Sequence, residues 1–183
     1  LAAGILIACG TMFPRILVYC GIIKPALLPS LVVPVLAMAL MLYVPAVVIW
    51  HRNRESLSVD QPMLNRNPLD LKPALLFGAL LTLILMVGHW LSDLFGDAGI
   101  YMLAASSGIA DVDAITLSLT RMADSSIAAN TAVIGIVIAS SVNNLVKAAM
   151  AWFIGPHALG RRVALPMALS LVVGLSAGWL ISA

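Results

Sequence analysis

Four ionisable side chains sit inside apolar stretches of this chain: Arg15, Asp111, Asp113 and Lys147. Their charges sum to zero. An ionisable group at the centre of a bilayer costs at least ~2.5–3.5 kcal/mol on insertion scales, so such groups tend to face a bundle interior and pair. Two acids and two bases on three separate segments therefore predict one polar cluster, buried halfway through the lipid. The chemistry that fits is binding of a small cation or a proton, because carboxylate, amide and hydroxyl oxygens are hard ligands for hard ions. The competing reading is a non-transporting regulatory or partner-binding module. There the same charges are structural ion pairs, which can fix packing without moving anything.

The densest of these stretches reads GIYMLAASSGIADVDAITLSLTR over 99–121. Asp111 and Asp113 are two apart and would point to different sides of a regular helix. The run Ser106-Ser107-Gly108 ahead of Asp111 predicts a broken helix around 106–113. Gly108 would allow an open backbone, and Asp111 would cap a helix restarting at Val112. Such a break at depth is tolerated only where it faces protein or a water-filled cavity, and it lets both carboxylates reach one space. Asp111 and Asp113 are thus the candidate ion or metal ligands. Thr116 adds a hydroxyl three residues after Asp113.

Two further segments complete the set. In TAVIGIVIASSVNNLVKAAMAWFIG, Ser140, Asn143 and Lys147 share one helical face, with Asn144 three residues before Lys147. Asn143 and Asn144 offer neutral oxygens, or bonds that tie helices together. Lys147 reads as a counter-ion that an entering cation or proton displaces. In TMFPRILVYCG, Pro14 has no N–H, which frees the Gly10 carbonyl near Arg15. The Arg15 guanidinium reads as a fixed clamp for an Asp or an anion.

The elements that must position these groups follow from composition. Of 183 residues, 62% are hydrophobic and 10% charged, against roughly 45–50% and 25% in soluble domains. That excludes an ordinary soluble globule, and a net charge of +2 gives no case for nucleic acid. The expected class is an all-α polytopic membrane protein. Spans fall near 1–23, 29–50, 73–94, 99–123, 128–155 and 163–182, in one helical domain with a polar loop over 51–72. A crossing needs about 20 apolar residues, which makes about six transmembrane helices. Leu1 opens inside an apolar run, which reads as a piece that follows an upstream membrane segment. Cys9 and Cys20 read as small core residues. His89 and Asp93 read as an interfacial cap rather than a metal motif, and Trp50, Trp90 and Trp179 as interface anchors.

Direction is less determined. Counting Lys and Arg slightly favours a 99–123 segment that dips in and returns, since Arg161 and Arg162 then join the basic 51–72 loop. Placing Gly10 over Gly108, an offset of 98, instead puts Arg15 on Asp113 and divides the chain into two three-span halves. Three is odd, so such halves would be inverted, a common transporter plan. On that basis, and on the length of 99–123, six full crossings are the expectation. Small residues at Ala2, Ala3 and Gly4, and at Gly174 and Gly178, could seat helices closely within one chain or in a homo-oligomer.

Three strings, MFPRILV at 12–18, SGIADVDAITLSL at 107–119 and NNLVKA at 143–148, resemble a known family. It is the C-terminal membrane domain (domain of unknown function 4010) of MgtC/SapB-type bacterial membrane proteins. The resemblance covers nearly the whole chain, and Asp-x-Asp-Ala-Ile-Thr is its most specific part. It implies a multi-pass protein of the bacterial inner membrane, partnered by a separate N-terminal MgtC/SapB-type membrane domain, and it brings no settled activity. Phosphate-binding, metalloprotease, serine-hydrolase and CxxC motifs are missing from the sequence. An enzyme is therefore not expected, nor any cofactor beyond a bound cation.

Overall fold

The computed structural model describes residues 2–52, 71–154 and 156–182, with the side chains of 71–78, 154, 158 and 179–182 left aside. Most of the polar loop, and the side chains of Lys72 and Trp179, lie outside the described residues. What is described is almost entirely helical. The first apolar segment forms α1 (Ala2–Gly10) and α2 (Met12–Ile23), and a 3-10 turn at Pro25–Leu27 leads into α3 (Leu28–Arg52). Then come α4 (Leu71–Phe95), α5 (Asp97–Ala110), α6 (Val112–Met122), α7 (Ala129–Ile154) and α8 (His157–Ser182).

Four stretches among the described residues are long and apolar enough to cross a membrane: Ala2–Ile23, Pro25–Arg52, Ala129–Phe153 and Leu159–Gly178. The 25 residues of α4 have crossing length too, at about 1.5 Å per residue. The break between α1 and α2 falls at Thr11, one turn before Pro14, where the Gly10 carbonyl loses its helical donor. The last helix begins at His157 rather than near 163, so Arg161 and Arg162 lie in its first turns and not in a loop.

Contacts between helices fix their directions. Gly96, in the left-handed region at φ 56°, turns α4 into α5. Beyond it Gly99 packs on the Leu91 carbonyl, and Gly88 faces Leu103, so α4 and α5 are antiparallel. Along α5, Asp97 accepts a bond from Thr131 (2.9 Å) and Gly108 packs on Ala139. Both numbers rise together, so α5 and α7 are parallel. Between α6 and α7, Gly135 packs on Leu119, and a tight turn at 123–127 joins the two, closed by Asp124 N–H donating to the Ile127 carbonyl (2.8 Å). These two helices are antiparallel. It follows that α5 and α6 run in opposite directions.

Segment 99–123 is therefore a hairpin that enters the bundle and returns, not a crossing. Gly88 of α4 confirms the fold-back, because it faces both Leu103 of α5 and Met122 of α6. Among the described residues the arrangement is thus four apolar stretches of crossing length, the long helix α4 and a helical hairpin over 99–123, where six full crossings were expected. The offset of 98 coincides with a contact between α2 and α6 at Arg15 and Asp113, and the next contacts along the pair fall at offsets of 100 and 99. Arg15 bonds Asp113, Cys20 meets the Thr120 hydroxyl (3.3 Å), and Lys24 donates to the Ala123 carbonyl (2.6 Å). The first and fourth segments thus run parallel where they touch, whereas inverted halves would make them antiparallel.

The core lies where α2, α3, α6 and α7 meet, with Phe13, Ile16, Leu31, Leu42, Ile115, Leu119 and Ile136 fully buried. Large side chains on the outside are apolar, such as Val44, Met86 and Phe153, as lipid contact requires. Cys9 and Cys20 are free and buried. Gly174 packs on Met38 and Gly178 on Val137, so these small residues seat helices within the chain. Nothing lies above Gly4.

The hairpin makes a topological prediction. In a Cys9→Ala, Cys20→Ala background, single cysteines at Ala98 and Ser125 should react with an impermeant maleimide from one side of the membrane. A cysteine at His157 should react from the other. Labelling of Ala98 and Ser125 from opposite sides would restore the full crossing.

Candidate functional site

The hairpin tip is built by one residue leaving the helix. Asp111 is extended (φ −154°, ψ 129°), and its side chain accepts from the Asp113 N–H at 3.0 Å, capping α6. This is the cap that the sequence predicts at this position. The end of α5 is closed as well. The Asp111 N–H donates to the Ser107 carbonyl (2.9 Å), and the Asn143 amide donates to the Gly108 carbonyl (3.0 Å). Gly108 is helical, so its role differs from the open backbone expected of it. A Cβ there would stand 2.5 Å from the Ala139 carbonyl oxygen, and glycine is what lets α5 lie against α7.

Around this tip is a cavity of about 230 Å³, lined by Ala8, Met12, Arg15, Ala110, Asp111, Val112, Asp113, Asn143 and Lys147. All four intramembrane charges reach it. They are not a buried cluster, and that expectation is corrected: no charged residue is among the buried ones described. The Arg15 side chain is 53% exposed and that of Asp113 20%. The physical reason is the hairpin itself. A helix pair that stops partway leaves unfilled space below its tip, and the charges sit on the walls of that opening rather than inside packed protein.

Within the cavity the groups divide. Arg15 pairs with Asp113, bonds the Tyr19 hydroxyl at 3.3 Å, and lies 5.9 Å from the Tyr19 ring centre. Both carboxylates stand at the start of α6, where the helix dipole favours negative charge. Among the described residues the ion pairs are Arg15–Asp113 and Lys24–Asp124. Lys147 therefore has no acidic partner there. The Asn143 side-chain oxygen is buried and accepts nothing. Leaving a buried acceptor unmet costs about 1–3 kcal/mol, so this oxygen is primed for a donor or a cation.

Other predicted site residues lie elsewhere. Thr116 is buried on α6 with its hydroxyl unpartnered, and Asn144 is buried on α7 with neither amide atom bonded. Neither lines the cavity. Ser140 donates to the Ile136 carbonyl of its own helix (2.8 Å) and is not among the lining residues. Among the described residues no group of three or more His, Cys, Asp or Glu is placed to hold a metal ion. Tyr19 was missed, although its position four residues after Arg15 makes the contact legible. Lys24 was missed too. It ties the end of α2 to the turn after α6, bonding the Ala123 carbonyl and pairing with Asp124 at 3.0 Å.

An all-helical chain with several membrane-length apolar helices, folded around a capped hairpin, defines a multi-pass membrane protein. Comparison with known proteins carries this further. Residues 1–155 match the family described as Domain of unknown function (DUF4010), and the chain belongs to it. It is similar to an uncharacterized protein of Aquifex aeolicus (strain VF5), at 35% identity over 149 residues, which is 81% of this chain and 65% of that protein. The chain thus spans somewhat less than two thirds of that relative's length. No solved structure matches it.

The tip geometry predicts the effect of filling the α5–α7 contact. Gly108→Val should destabilise the folded state by about 1–3 kcal/mol, as overpacking does, and lower the thermal transition in detergent. Val in place of Gly4, which faces open space, should leave that transition unchanged. Equal stability of both variants would contradict the close contact.

Proposed function

We propose that this domain binds a small cation or a proton at the hairpin tip and carries it across the membrane. The observation that carries the reading is that Asp111 and Asn143 line one cavity, while the buried Asn143 side-chain oxygen has no protein donor. In this scheme Asp111 and Asn143 supply the ligand oxygens, with one Asp111 oxygen engaged in the cap. Asp113 is held by Arg15 and sets the local field rather than taking the ion directly, and Thr116 and Asn144 are buried outside the cavity lining. The charges at the cavity sum to zero, so a cation enters only as another positive charge leaves or is neutralised. Lys147, without an acidic partner, is the group that can yield. The scheme thus implies exchange rather than a simple leak. It is a binding and transport role, not catalysis, and requires no resident cofactor.

The Arg15–Asp113 pair supports a second reading, a partner-binding module in which these charges lock α2 to α6. The two readings divide the residues: the lock needs Asp113, whereas transport needs Asp111. We further propose that the domain sits in a bacterial inner membrane beside an N-terminal MgtC/SapB-type domain, alone or in a homo-oligomer. Its orientation follows from charge. With the hairpin re-entrant, Arg52, Lys72, Arg161 and Arg162 belong to one side, and Lys24 and Arg121 to the other. The positive-inside rule then puts the basic side in the cytoplasm.

Asp111→Asn separates charge from cap, because Asn caps helices about as well as Asp. Reconstituted in liposomes, the wild type should exchange protons for K⁺, Na⁺ or Mg²⁺, read by a lumenal pH dye. The variant should lose at least about tenfold in rate, equal to ~1.4 kcal/mol, with its melting temperature kept. Flux equal to wild type in Asp111→Asn, or no wild-type flux with any of these ions, would reject the transport reading.

A further inference from the structure

A second and larger cavity of about 700 Å³, sharing no lining residue with the hairpin tip, lies against the first turns of α8 and the last turns of α7. Its lining is Trp152, Arg161, Arg162, Ala164, Leu165 and Ala168. Arg161, Ala164, Leu165 and Ala168 stand at i, i+3, i+4 and i+7, one face of α8. The two alanines leave a depression along that face, and Trp152 walls it. Gly160 packs on the backbone of Trp152 and draws the two helices together at the turn. The slot is apolar along its length and cationic at its end.

Both arginines are exposed, and neither has an acidic partner among the described residues. Trp152 is 47% exposed and Leu165 64%. An indole and a pair of guanidiniums at a helix end form the usual pattern at the level of lipid headgroups. This is the basic side of the domain, and basic pockets between helices on the cytoplasmic side take anionic headgroups. Guanidinium also matches phosphate by paired hydrogen bonds.

We infer that the α7–α8 slot binds one anionic phospholipid, its phosphate on Arg161 and Arg162 and an acyl chain along Ala164, Leu165 and Ala168. The occupant is a lipid rather than free phosphate because the apolar trough continues from the arginines towards the bilayer core. The site is separate from the hairpin tip and stands whether or not that tip transports an ion.

Native mass spectrometry of the purified chain in detergent tests this, with phosphatidylglycerol and phosphatidylcholine of identical chains as probes. The wild type should retain phosphatidylglycerol about tenfold better. Arg161→Gln with Arg162→Gln should erase the preference, and Arg121→Gln, at the opposite end, should keep it. Ala168→Trp fills the trough while sparing both arginines, and should also lose the lipid. Equal retention of the two lipids by wild type, a preference that survives the double variant or Ala168→Trp, or displacement by equimolar inorganic phosphate would each overturn the inference.

Discussion

Backbone N–H and carbonyl groups have no water to bond at mid-membrane, and this constraint governs the fold. A chain that reverses there must satisfy two helix ends at once. Here three groups meet that demand. The Asp111 carboxylate takes the Asp113 N–H, the Asp111 N–H returns to the Ser107 carbonyl, and Asn143 covers the Gly108 carbonyl. Remove this set and α5 and α6 have reason either to join into one straight helix or to withdraw towards the headgroups. The position of the cavity, and of the charges lining it, depends on the reversal being held at this depth.

The rest of the bundle brackets that reversal. Close α5–α7 packing at Gly108 fixes one arm, and α2 fixes the other. Along α2 the attachments to α6 are polar at both ends and weakly polar between: Arg15 with Asp113, Cys20 with Thr120, Lys24 with Ala123 and Asp124. Asp124 has φ 56°, an uncommon backbone for a residue other than glycine. The Lys24 pair sits on that residue and holds the turn from which α7 departs. Each arm of the hairpin is thus tied to a full crossing, and the tip has little freedom to slide.

Much of this was legible in the sequence, for identifiable reasons. Apolar run length reports helices directly, and the Asp-x-Asp spacing after a small-residue run reports a break with a cap. Direction was not legible in the same way. Periodicity is identical in a helix that crosses and in two that double back, since a single extended residue is enough to turn the chain. The Lys and Arg count did carry that information, because a return path moves Arg161 and Arg162 to the side of the polar loop. The offset between Arg15 and Asp113 coincides with a contact between α2 and α6, a relation that an offset in sequence alone does not distinguish from a repeat. Thr116 and Asn144 were assigned by helical face alone. Face shows which residues align but not which neighbour they meet, and these two meet packed protein instead of the opening.

The contrast between the two bases bears most on function. A guanidinium is planar and forks onto a carboxylate, and Arg15 is engaged by both Asp113 and the Tyr19 hydroxyl. Breaking that pair would leave Asp113 without its counter-ion on the wall of the cavity. Lys147 has a flexible four-carbon stem, a point charge and no acid of its own among the described residues. The charge balance of the cavity therefore rests on one base that is held and one that is free to move. An arrangement meant only to lock helices has no evident use for the free one, which pairs with no carboxylate among the described residues. In the proposed exchange of one positive charge for another, Lys147 is the charge that would yield.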